Sequence, residues 1–123
     1  MKNANMIRLT DNEYSMMEVI WEMEPVLPTT LVEVCLEKCG WKKSTVYTML
    51  RRMDAKDILS YGNGMVVSKV NREQVLKAEG EALFQRVCDK SIPDFFAAFL
   101  EGRQLTKADA SRIQKIIKEA TEK

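Results

Sequence analysis

The sequence predicts a mainly α-helical chain with one small β-hairpin, and three observations carry that prediction. Val46, Met49, Leu50 and Met53 fall at i, i+3, i+4 and i+7, the spacing of one helix face. Just beyond them, Ile58–Tyr61 and Met65–Val70 are short strand candidates around Gly62-Asn63-Gly64, and Asn-Gly is a strong hairpin-turn signal. After Asn71 come three further helical stretches, each with an apolar face. A hairpin directly after a helix of this kind is the sequence form of a wing. The expected architecture is therefore a winged helix-turn-helix over residues 1–70 and a helical dimerisation module over residues 71–123.

Each element has its own local reason. Thr10 with Glu13 three residues later is a capping-box signal, and Tyr14, Met17, Ile20 and Trp21 continue at helical spacing, giving a first helix over Asp11–Glu24. Pro25 and Pro28 stop it and form a loop. Thr30 and Glu33 repeat the capping pattern for a second helix over Thr29–Lys38, with Leu31, Val34, Cys35 and the stem of Lys38 on one face. Gly40 ends it in a left-handed conformation, and Trp41 turns inward to plug the core. The third helix runs from Lys43 to Lys56. Asn71 and Gln74 cap a fourth, which has Val75, Leu76, Leu83, Phe84, Val87 and Cys88 as its apolar face and ends by Lys90.

Pro93 suits a first helical turn, Phe95, Phe96, Phe99 and Leu100 follow it, and Gly102 terminates that short helix. Thr106 caps the last helix, where Ile113, Ile116, Ile117 and Ala120 line one side. So short a segment has little core of its own. Leu83, Phe84, Phe95, Phe96, Phe99, Ile113, Ile116 and Ile117 are therefore assigned to a dimer interface. The alternative is a monomer whose last helices fold back on the first module.

Composition narrows the function. The 123 residues are 46% hydrophobic and 30% charged, which excludes a disordered chain. No apolar run approaches the roughly 18 residues of a membrane span, and Met1 to Leu9 lack the apolar stretch of a signal peptide, so a cytoplasmic protein without a membrane partner is expected. There is no histidine, no glycine-rich phosphate loop and no nucleophile motif, so neither an enzyme nor a cofactor is expected. Glu13, Glu18, Glu22 and Glu33 read as solvated surface. Cys35, Cys39 and Cys88 make an odd number, which argues against a disulfide framework. They read as structural thiols. A thiol- or metal-responsive regulator using Cys35 and Cys39 is an alternative, although a four-ligand metal site would then need Cys88 and a carboxylate or a second subunit.

Net charge is only +1, but it is unevenly placed. From Cys39 to Val70 there are six basic residues (Lys42, Lys43, Arg51, Arg52, Lys56, Lys69) against two acidic (Asp54, Asp57), whereas Met1 to Lys38 has three against seven. Only the middle third offers a face to a polyanion. With its apolar stripe turned inward, the third helix would present Ser44, Thr45, Tyr47, Thr48, Arg51 and Arg52, with Lys42 and Lys43 at its start. Short hydroxyl side chains allow close approach to a major groove, arginine donates in pairs to guanine, and lysines hold the phosphate backbone. Asn63 and Lys69 are the wing candidates, and Lys69 is the wing's only charge. The expected partners are double-stranded operator DNA and a second copy of the chain. A winged-helix protein-interaction module is the competing reading.

Trp41 through Met53 reads Trp-Lys-Lys-Ser-Thr-Val-Tyr-Thr-Met-Leu-Arg-Arg-Met. From about Ile7 to Ala120, and most specifically in this stretch, the chain resembles the penicillinase repressors and their relatives, the methicillin-resistance regulators and copper-responsive repressors. Thr45, Val46, Thr48, Leu50 and Arg52 match that family's Thr-Val-x-Thr-Leu-Leu-x-Arg-Leu run, and Glu13, Val19, Ile20-Trp21 and Leu105-Thr106 look like its first and last helices. The resemblance implies a homodimeric repressor on a palindromic operator. It places Thr45, Thr48 and Arg52 in or near the DNA contact and Tyr47 at a specificity-type position, and it puts dimerisation in the C-terminal helices. It also implies a possible regulatory protease, with the family's cleavage pair aligned on Ala98-Phe99. The family's glycine after the recognition-helix lysine is Asp57 here, its wing arginine and tyrosine are replaced within Gly64-Met65-Val66-Val67, and the paired C-terminal cysteines of the copper branch are absent.

Overall fold

The structure is a computed structural model that describes residues 7–87 and 91–122, the side chain of Val87 excepted. Its elements are α1 (Asp11–Met23), α2 (Pro28–Cys39), α3 (Lys43–Ala55), β1 (Leu59–Ser60), β2 (Val67–Ser68), α4 (Arg72–Val87), α5 (Ile92–Leu100) and α6 (Lys107–Thr121). They fall into two compact units, Met1–Gln85 and Arg86–Lys123. The first unit thus runs past residue 70 and includes most of α4.

In the first unit, α1, α2 and α3 enclose one core, and the two strands close its edge. Met16, Met17, Ile20, Leu31, Leu50, Met53 and Leu59 are wholly buried there, and Trp41 packs against them half-buried. α1 begins with the expected reciprocal box: Glu13 N–H donates to Thr10 Oγ1 at 3.1 Å and Thr10 N–H donates to Glu13 Oε1 at 2.9 Å. Gly40 caps α2 at φ 72°, as expected for its left-handed position.

Several local expectations are corrected. Pro28 is not a loop breaker but the first residue of α2, because the N–H it lacks is one a helix leaves unpaired at its start. The Thr30–Glu33 cap is accordingly unused; Leu27 is the cap residue, without a side-chain bond. Lys38 lies exposed, 3.9 Å from Glu22. The strands are shorter than Ile58–Tyr61 and Met65–Val70, the loop is longer than Gly62-Asn63-Gly64, and within it Asn63-Gly64 does not make the tight mirror-image turn of a two-residue hairpin. Such a turn needs positive φ at both residues, and only Gly64 has it, at φ 90°. Six residues separate the strands, with Gly64 N–H donating to Tyr61 O at 3.4 Å. The cause lies across the loop: Val26 and Val66 exchange backbone hydrogen bonds of 3.1 and 2.7 Å, which draws Val66 into the core and shortens the β1–β2 ladder to Leu59↔Ser68 and Ser60↔Val67.

α4 carries the Asn71–Gln74 box, with both bonds at 2.7–2.8 Å. Its inward face is Val75 and Ala78, not Val75 and Leu76; Leu76 stands one helical step, about 100°, away and is 66% exposed. The start of α4 is tied to α1. Trp21 Nε1 donates to Val70 O at 3.0 Å, the Arg72 guanidinium lies 4.8 Å from the Trp21 ring centroid, and it reaches Glu18 at 3.4 Å. α4 ends at Val87; the predicted Cys88 and the expected end at Lys90 lie outside the described residues.

In the second unit, Ser91 caps α5 by accepting from Asp94 N–H, and Thr106 caps α6 by accepting from Asp109 N–H. Phe95 meets Phe96 edge-on at 5.6 Å and stacks on Phe99 at 6.1 Å. No described residue of α5 or α6 is buried within the chain.

The core sets a first expectation. Leu50 is fully enclosed, so Leu50→Ala should lower stability by about 2–5 kcal/mol in urea denaturation, through lost burial and the cavity left behind.

Candidate nucleic-acid interface

Val46, Met49, Leu50 and Met53 are all buried, so α3 turns one side inward and leaves the opposite side to solvent. Lys42, Lys43, Ser44, Thr45, Thr48, Arg51 and Arg52 are exposed on it, and Tyr47 sits half-buried at the margin against the core. The helix starts at Lys42 without a side-chain cap, so its first backbone N–H groups are not satisfied from within by such a cap. Arg51 donates from Nη2 to Thr48 Oγ1 at 3.4 Å, laying that guanidinium along the helix surface.

Ser44, Thr45, Thr48 and Arg52 line one side of a groove of about 320 Å³, and Thr10, Asn12 and Glu13 of α1 line the other. The sequence marks Thr10 only as a helix cap and does not mark Asn12, because nothing in such a helix start signals that it will face α3.

Glu13 is the largest correction to the sequence reading. It is 4% exposed, not solvated. Its Oε1 accepts from Lys56 Nζ at 2.8 Å as well as from Thr10 N–H, so one carboxylate joins the start of α1 to the C-cap of α3. Burial alone would raise its pKa. The Lys56 hydrogen bond, the Thr10 backbone bond and the nearby charges of Lys56 and Arg52 outweigh burial and hold the carboxyl below its ordinary value.

On the wing side, Asp57 adopts φ 67°, the left-handed conformation that a glycine would take without strain. Its carboxylate accepts from Lys69 Nζ at 2.7 Å. That hydrogen bond, with the charges of Asp57 and Asp54, raises the pKa of Lys69. The wing's one cation is therefore bound back to the body of the same unit. Ser68 is tied down too, its N–H and Oγ donating to Glu24 at 2.7–2.9 Å. Asn63 lies exposed in the loop, beside Met65 and Val67, which are 36% and 40% exposed.

Cys35 and Cys39 lie on α2 and do not line this groove. Cys35 is buried in the core, and burial followed by the neighbouring Cys39 pushes its pKa up to about 11. Among the described residues no three His, Cys, Asp or Glu side chains gather as a metal site, and no described helix is long and apolar enough to cross a membrane.

Three helices around one core, an open third helix, a hairpin beside it and an appended helical unit define a winged helix-turn-helix protein with a helical extension. The sequence matches the penicillinase repressor family over residues 9–119, and the chain belongs to that family, whose members are transcriptional regulators. It is also similar, at 21% identity over 120 residues, to an uncharacterized 16.5 kDa protein in the ptsI 3' region of Latilactobacillus sakei, with 94% of this chain and 81% of that protein covered.

The Glu13 linkage has a definite sign in pH. Its folded-state pKa lies below the unfolded one, so the stabilisation is fully present above the ordinary carboxylate value and is lost as pH falls through the folded value. Glu13→Gln should cost about 1–3 kcal/mol near neutral pH, with the gap to the parent protein narrowing in thermal melts taken below about pH 4.5.

Proposed function

We propose that this chain is a homodimeric repressor that seats α3 in the major groove of a palindromic double-stranded operator, one half-site per protomer. The observation that carries the reading is the open side of α3, where hydroxyls and arginines stand together opposite a fully buried stripe. A solvated face has no need of that composition. A major groove does: Ser44, Thr45 and Thr48 let the helix approach closely, and Arg51 and Arg52 point in adjacent directions, one toward base edges and one toward a phosphate. The uncapped start of α3 supplies N–H groups to the backbone, and Lys42 and Lys43 add charge there. Tyr47, at the margin, tunes base preference.

Self-association is supported by the second unit. Phe96, Phe99, Ile116 and Ile117 are each at least 45% exposed, and Phe95 and Ile113 are half-buried beside them, a surface too apolar to suit water over so short a segment. Leu83 and Phe84 of α4, 39% exposed and half-buried respectively, are a further apolar pair proposed for self-association. The position aligned with the family's cleavage pair, Ala98-Phe99, lies inside α5, so a regulatory protease acting there requires that helix to open locally. A cytoplasmic location is part of this reading.

A second reading, a protein-interaction module, draws support from the wing, where Met65 and Val67 are exposed and Lys69 is held by Asp57.

A mobility-shift titration on the DNA upstream of the protein's own gene separates the two. The repressor reading expects a specific complex at moderate salt, and footprinting should then show two half-sites about one helical turn apart. Arg52→Gln should weaken that complex by about 1–3 kcal/mol without changing the fold. A folded protein that gives no specific shift sinks the repressor reading, and undiminished affinity in the variant removes Arg52 from the contact.

A further inference from the structure

We infer that Trp21, Arg72 and Glu18 form a latch that fixes the direction of α4 relative to α3, and that this latch sets which half-site spacing the dimer accepts. The inference rests on the operator reading above but concerns residues far from the groove-facing side of α3.

The first observation is where the compact unit ends. It runs to Gln85, so most of α4 moves with the helix-turn-helix and does not begin a separate body at Asn71. The second is what secures the root of α4. Trp21 Nε1 donates to Val70 O at 3.0 Å, two residues before the helix starts. Arg72, the first residue of α4, lies with its guanidinium 4.8 Å from the Trp21 ring centroid and 3.4 Å from Glu18. Tyr14 meets the indole edge-on at 5.9 Å. Val75 and Ala78 then press the next turn into the core. An exposed ion pair alone contributes little. The indole adds a directed hydrogen bond and a cation–π contact, and together these fix an angle as well as a distance.

The angle matters because α4 is a lever. Its 16 residues make a rod of about 24 Å. A tilt of about 10° at the root displaces the far end by roughly 4 Å, more than the ~3.4 Å rise of one base pair. Leu83 and Phe84, proposed above for self-association, stand near that far end within the same unit, so the root sets where they stand relative to α3 and with it the distance and phase between two α3 helices. Trp21, Arg72 and Glu18 are positioning residues in this scheme, with no contact to DNA.

The test uses the full chain on duplexes carrying two half-sites at a series of spacings, and on a duplex with one half-site. Trp21→Phe keeps the ring and removes the Nε1 donor; Arg72→Gln removes both the cation–π and the ion-pair contact. The parent protein should prefer one spacing over its one-base-pair neighbours by about tenfold or more. Both variants should bind the single half-site within about twofold of the parent, sediment as the same oligomer, and discriminate between spacings by less than about threefold. A merely structural role would lower affinity for every duplex alike, and that result overturns the latch, as does a variant that keeps the parent's spacing preference. Absence of any specific complex with the parent protein instead overturns the operator reading, and the latch's role with it.

Discussion

The burial of Val46, Met49, Leu50 and Met53 against α1 and α2 fixes the rotation of α3 about its own axis, and every other property of the surface follows from that rotation. Turn the helix by one residue and the outer face would lose Arg51 to the core in one direction, or Thr48 and Arg52 in the other. Core packing is steep in energy and tolerates little rearrangement, so an apolar stripe specifies an orientation far more sharply than any polar contact on the outside. The hydrogen bonds around α3 then refine what the stripe decides. Lys56 ties its end to Glu13, and Arg51 is held along its flank by Thr48.

Periodicity made most of this legible. The inner stripe of α3, the Thr10–Glu13 and Asn71–Gln74 boxes, the Gly40 cap and the Thr106 cap all follow from residues within a turn of one another, and each takes the form its spacing predicts. What spacing cannot show is what lies across the fold. Glu13 looked like any other acid of α1 until Lys56, 43 residues away, came to meet it. The hairpin turn changed form because Val66 pairs with Val26 rather than continuing the ladder. Leu76 looked like core because it adjoins Val75, but only one of two neighbouring helical positions can face a single partner. The groove shared by Asn12 and Thr45 has the same origin: its two walls are more than thirty positions apart in the chain.

The two units solve the problem of a small chain differently. The first encloses a core with methionine-rich packing, Met16, Met17, Met49 and Met53 filling it with unbranched, adaptable side chains. Among its described residues the second has none that is buried, and α5 and α6 leave their apolar residues half-buried or exposed. On the proposed dimer reading, stability falls to the first unit and assembly largely to the second.

Asp57 invites a different kind of accounting, that of counterions. Where a glycine would relieve the strain of φ 67°, this chain has a carboxylate that neutralises Lys69, just as Glu13 neutralises Lys56. Of the six cations in the basic stretch, these two form ion pairs with acids of the same chain. On a polyanion, each phosphate neutralised releases close to one condensed ion, and the slope of affinity against salt records that number. Sequence composition therefore overstates the slope this protein would show. Its grip on a charged lattice would rest on Lys42, Lys43, Arg51 and Arg52, leaving shape and hydrogen bonding a larger share of the discrimination than its basic residues suggest.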